Sequence, residues 1–126
     1  MWLPLLGILV GIVLGMVFPF TVPLAYSSYM SVAVLAALDS VFGGIKSHLK
    51  NQFESDVFLT GFFGNAILAA GLTYIGDRLD VPIYLAAIFV FGSRLFQNFA
   101  VIRRLILLKF KKKTKVIPDK QEKIEN

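Results

Sequence analysis

The stretch VPIYLAAIFVFGSRLFQNFAVI, residues 81–102, decides how this chain is read. It is an apolar run long enough to cross a bilayer, which takes ~20 helical residues for ~30 Å of hydrocarbon. Yet Arg94 sits in the middle of it. A charge near the bilayer centre costs at least ~2.5–3.5 kcal/mol on insertion scales, so a span keeps one only when it is paired, hydrated or put to use. A second run of the same kind, Tyr26 to Ile45, holds one carboxylate, Asp39.

Composition agrees with a membrane chain. Of 126 residues 56% are hydrophobic, and the mean hydropathy is +0.72. A water-soluble domain this small cannot hide that much apolar surface, whereas lipid can. The absence of cysteine excludes disulfides, thiolate metal sites and cysteine nucleophiles. The net charge of +5 is unevenly placed, since seven of the 13 basic residues fall between Arg103 and Lys115. The chain is a greasy body with a basic tail.

Four spans are expected, at about 2–18, 26–45, 57–75 and 82–102. Pro4 falls in the first turn of the first, where a missing N–H does little harm. That span lacks a basic leader and a small-x-small cleavage site, so it reads as a retained helix. Lys46 and Lys50 mark the middle loop and the Lys/Arg run marks the tail, while Gly76 to Asp80 mixes signs and Pro19 to Ala25 is uncharged. The positive-inside rule then places both termini and the middle loop in the cytoplasm. Trp2, Tyr26, Tyr29, Tyr74 and Tyr84 fall near the expected interfaces. The expected fold is an all-α membrane protein: a four-helix transmembrane domain over 1–110, then a basic, largely disordered cytoplasmic tail over 111–126.

The polar residues can be placed by depth. Asp39 lies 13 residues after Tyr26 and Arg94 lies 12 after Pro82, which puts both ~18–20 Å below the outer interface. Asn65, on the oppositely directed third span, comes within about a turn of that level. Arg94, Gln97 and Asn98 share one helical face, as do Asp39, Gly43 and Lys46. Asp39 and Arg94 are therefore expected to form an ion pair, extended by Asn65, Gln97 and Asn98. Such a cluster is either a clamp that fixes helix register or part of an ion, proton or anion path, or a dock for a partner helix.

Small residues mark the packing faces. Gly7, Gly11 and Gly15 form a stripe on the first span, and Gly61 and Gly64 start a looser one on the third. Both serve helix packing, within the chain or with a partner. Residues 35–38 with Phe42-Gly43 weakly resemble residues 85–88 with Phe91-Gly92, as a parallel repeat would.

Arg103 and Arg104 can snorkel to the headgroups, and Lys109, Lys111, Lys112 and Lys113 continue a run suited to anionic lipid. Without interleaved aromatics it does not point to nucleic acid. His48 is the one histidine, which argues against a metal site, and Glu54 and Asp56 read as solvated loop acids. No nucleophile–base arrangement, paired carboxylates or phosphate loop is present. Neither catalysis nor a cofactor is expected.

Several blocks of the chain are similar to a known family. They are Met1-Trp2-Leu3-Pro4, residues 31–44 (SVAVLAALDSVFGG), Gly61-Phe62-Phe63 with Asn65, and residues 91–98 (FGSRLFQN) with Arg103-Arg104. Over roughly 1–110 they resemble the bacterial small basic protein family, also filed as domain of unknown function 1290. The resemblance implies a multi-pass protein of the bacterial cytoplasmic membrane, encoded near cell-division genes, with no assigned catalytic or binding residue. The family motifs fall on Asp39, Asn65, Arg94, Gln97 and Asn98. The expected role is a scaffold or accessory subunit that binds other membrane proteins, linked to cell division or envelope assembly. The competing expectation is an oligomeric channel or small transporter with a polar path at Asp39 and Arg94.

Overall fold

A computed structural model of the chain describes residues 2–125, with side chains described through Lys115 apart from Pro4. All regular structure among them is helical: α1 (Trp2–Val17), a 3₁₀ turn (Leu24–Tyr26), α2 (Ser27–Leu49), α3 (Ser55–Leu79) and α4 (Tyr84–Glu125). Three segments are long and apolar enough to cross a membrane, Leu24–Leu49, Ser55–Leu79 and Tyr84–Lys115. At 16 residues α1 is ~24 Å long and falls short of the expected first span on length alone. Pro19 and Pro23 keep the chain extended beyond it.

The other helices are longer than expected. The second runs to Leu49 rather than Ile45, so Lys46 is helical and not a loop residue. It ends where Asn51 takes a left-handed conformation (φ 56°) and its N–H bonds the carbonyl of His48. Asparagine tolerates that region because its short polar side chain bonds locally. The third helix closes on Asp80, also left-handed (φ 54°). The following turn folds back so tightly that the Val81 N–H lies 3.0 Å from the Gly76 carbonyl. A Cβ on Gly76 would stand 2.6 Å from the Val81 carbonyl oxygen. Glycine is required there by the approach of backbone to backbone. The fourth helix continues to Glu125, across the stretch from 111 expected to be largely disordered. Extending an already nucleated helix fixes one residue per hydrogen bond, and the lysines up to Lys115 are no obstacle.

The central helix is α2. It packs most extensively against α4 and next against α3, whereas α3 and α4 touch sparingly. Val32, Ala36, Ala69, Ala87 and Phe91 form the buried core, with Leu35, Tyr84 and Ile88 against it. Three alanines among five residues let the backbones approach closely, which is how helices gain van der Waals contact in lipid. Thr73 is buried there too, its hydroxyl satisfied by donating to the Ala69 carbonyl at 2.9 Å. The buried residues of α3 are Ala69, Thr73 and Gly76, all in its second half. None of residues 55–64 is buried. The third helix thus leans on its neighbours near the 80–83 turn and stands off at the opposite end.

The first helix shares no extensive packed face with the others. A Cβ built on Gly7, Gly11 or Gly15 meets nothing within 4 Å, and the same holds for Gly61, Gly64 and Gly71 of α3. Neither glycine stripe is consumed by packing inside the chain. The two similar stretches are not equivalent in space either. Ala36 is buried but its counterpart Ala86 is exposed, the buried residue being Ala87.

Candidate functional site: a polar cleft beside the dry core

Where α3 stands off, a cleft of about 400 Å³ opens between α2, α3 and α4. Its floor is the second half of α2, with Asp39, Ser40, Gly43 and Lys46. Arg94, Gln97 and Asn98 of α4 form one wall. The opposite wall is the loop before α3 and the start of that helix, where rings follow one another from Phe53 to Phe58 (5.7 Å) and Phe62 (6.1 Å).

The helical spacings produce this arrangement. Asp39, Gly43 and Lys46 recur at i, i+4 and i+7, on the side of α2 that faces α4. Arg94 and Asn98, at i and i+4, face back. Arg94 Nη2 lies 3.3 Å from Asp39 Oδ2 within one chain. Asn98 Nδ2 donates to Asp39 Oδ1 at 3.4 Å, and Lys46 Nζ donates to Asn98 Oδ1 at 2.7 Å. A Cβ on Gly43 would lie 3.7 Å from Asn98 Nδ2, an ordinary contact, so the helices approach closely there without glycine being required.

The pair is lopsided. The Asp39 side chain is fully buried while that of Arg94 is 51% exposed. Oδ2 of Asp39 has the guanidinium beside it but no well-aligned hydrogen bond, and the buried Ser40 hydroxyl has no partner among the described residues. A buried carboxylate of this kind depends on its cation.

Of the expected cluster, the structure joins Asp39, Arg94 and Asn98. Asn65 and Gln97 line the same cleft but do not bond to the pair, Gln97 donating to Ser93 Oγ at 3.3 Å instead. Lys46 was not expected in the cluster, although its i+7 spacing from Asp39 put it on the same face. Ending α2 too early hid it. Arg103, Arg104, Lys109, Lys111, Lys112 and Lys113 are all exposed along α4, away from the cleft.

The family described as "Protein of unknown function (DUF1290)" matches residues 22–107. A small basic protein of Bacillus subtilis is 54% identical over 110 residues, covering 87% of this chain and 91% of that protein. The chain belongs to the small basic protein family. Uncharacterized proteins of Mycobacterium bovis and Mycobacterium tuberculosis are each 46% identical over 97 residues, or 75% of this chain and 80% of theirs. No solved structure matches. The family region spans the whole cleft, from Asp39 to Asn98, and most of the core beneath it.

Proposed function

We propose that this family member is an accessory subunit of the bacterial cytoplasmic membrane that works by binding other membrane proteins. In this reading both termini and the loop after α2 are cytoplasmic, and α1 is a fourth, short span. A short span is accommodated by local thinning of the bilayer or by association with other helices. Arg103, Arg104 and the lysines of α4 hold the cytoplasmic end at anionic headgroups, at ~1 kcal/mol for each charge near the surface. The process served is cell division or envelope assembly, a proposal that rests on the family resemblance alone.

The observation that carries this reading is the open state of both glycine faces. Six glycines of α1 and α3 would accept a Cβ without meeting any atom within 4 Å. In lipid such faces gain contact energy only when another helix covers them. The test is to extract the tagged full chain in native-lipid discs and determine the mass of the complex, for the wild type and for Gly7→Leu/Gly11→Leu. A stoichiometric second protein is expected with the wild type and absent with the variant, whose own helix content and melting stay unchanged. A second protein that persists with the variant would overturn the proposal.

The cleft favours one other reading, an oligomeric channel or small transporter. Against it, the core of Val32, Ala36, Ala69, Ala87 and Phe91 closes the bundle beyond the cleft, so a single copy offers no continuous path. A homo-oligomer with no second protein in the disc experiment would favour the channel.

A further inference from the structure

We infer that the cleft binds the phosphate group of an amphiphile, drawn in from the cytoplasmic leaflet. This inference uses the orientation proposed above but not the glycine faces.

The first argument is charge. Four ionisable groups line the cleft: Asp39, Lys46, Glu54 and Arg94. Asp39 is shielded and already faces the Arg94 guanidinium and the Asn98 amide. Lys46 has no carboxylate within 4.0 Å among the described residues and is held by the Asn98 amide oxygen alone. The floor and the α4 wall together therefore carry two cations against one covered carboxylate. Glu54 stands exposed at the mouth.

The second argument is donors. The half-exposed guanidinium engages Asp39 through one terminal nitrogen, and the ammonium of Lys46 spends one of its three donors on Asn98. The Ser47 hydroxyl and the Asn65 amide line the same space. A site with donors in excess suits a ligand that only accepts, and an oxyanion does so through several oxygens.

Shape and depth narrow the class. The wall opposite the charges is aromatic, Phe53, Phe58 and Phe62, and α3 and α4 stand apart beside it. A molecule with an anionic head and an apolar body fits both walls. Lys46 lies three residues before the end of α2, ~5 Å along the axis, which is the level of inner-leaflet phosphates. The volume of about 400 Å³ holds a headgroup with its glycerol. Glu54 at the mouth then favours a phosphodiester that also carries an amine.

The experiment uses the purified full chain in an uncharged detergent. Phosphatidylethanolamine, phosphatidylglycerol or a phosphate-free diacylglycerol of the same chains is added, and retained lipid is counted by native mass spectrometry. The wild type is expected to keep the phospholipids and to release the diacylglycerol. Lys46→Met should weaken retention about tenfold, the equivalent of one charged contact, while Arg78→Met, at an exposed position in the last turn of α3 away from the cleft, leaves it unchanged. Glu54→Gln should shift preference toward phosphatidylglycerol about threefold, as for a weak exposed ion pair. Failure of millimolar inorganic phosphate to displace the lipid assigns the site to the headgroup, and displacement assigns it to free phosphate. Equal retention of diacylglycerol, or retention indifferent to Lys46→Met, overturns the inference. If Lys46→Met does not fold, an unchanged headgroup ratio in Glu54→Gln overturns it instead. Loss of a protein partner through the α1 glycines leaves every one of these readings in place, so the two proposals fail separately.

Discussion

Near the 80–83 turn the three long helices meet through alanines, a valine and a phenylalanine, and the buried Thr73 hydroxyl bonds its own helix. At the other end the same helices present Asp39, Lys46, Arg94 and Asn98 to a cleft. The contrast has one geometric source. Small residues at Ala69 and Gly76 let α3 come close, while bulky Phe58 and Phe62 stand where it splays away. Close approach excludes water and polar groups, and separation makes room for both. One end is thereby suited to hold the bundle together and the other to meet something outside it.

The comparison can be broken by mutation, and the largest effect is expected at the ion pair. Arg94→Met leaves the buried Asp39 carboxylate without its cation. Removing one partner of a buried pair is strongly destabilising, and the half exposure of Arg94 moderates this to about 3 kcal/mol. Asp39→Asn should cost less, about 1 kcal/mol, because Arg94 can turn to water. Thermal unfolding of the two variants in detergent checks the order, and equal losses would deny that the pair is lopsided.

At the dry end Gly76→Val pushes a side chain against the Val81 carbonyl. Overpacking of this kind costs about 2 kcal/mol and should loosen the 80–83 turn. Faster amide exchange confined to residues near the turn is the expected signature. Lys46→Met removes a charged hydrogen bond to Asn98 on the floor of the cleft, for about 1 kcal/mol in the same unfolding assay. The smallest effect is expected outside both regions. Gly11→Leu meets open space, so stability should stay within about 0.5 kcal/mol of wild type or rise slightly through better helix propensity. A larger loss would mean that the α1 glycines pack inside the chain.

How much of this was legible depends on the kind of signal. The helices were, because apolar runs of bilayer length have few other readings. The Asp39–Arg94 pairing followed from counting residues from the interface, which works when straight helices lie side by side. Helix ends were not legible. Lys46 looked like a loop residue, as Lys50 is, because charge usually leaves the hydrocarbon, and the cleft explains why α2 carries Lys46 inside a helix. The fate of the glycines was also hidden. A small-residue stripe specifies a face without naming what covers it, and here α2 takes α3 and α4 as partners and leaves α1 nearly bare. Asn65 and Gln97 reached the right cleft but not the right bonds, since depth fixes level and not rotamer.

The polar end of the bundle is open and the other end is dry. The chain has no cysteine, so single cysteines report cleanly. The decisive measurement is the labelling rate of cysteines at Ser47, Asn65 and Gln97 against those at Ala36, Ala69 and Ala87. A membrane-impermeant thiol reagent would be applied to inside-out vesicles. Fast labelling of the first three with protection of the last three is the predicted result. Protection of all six, or labelling of the alanine sites at the same rate, would contradict the claim.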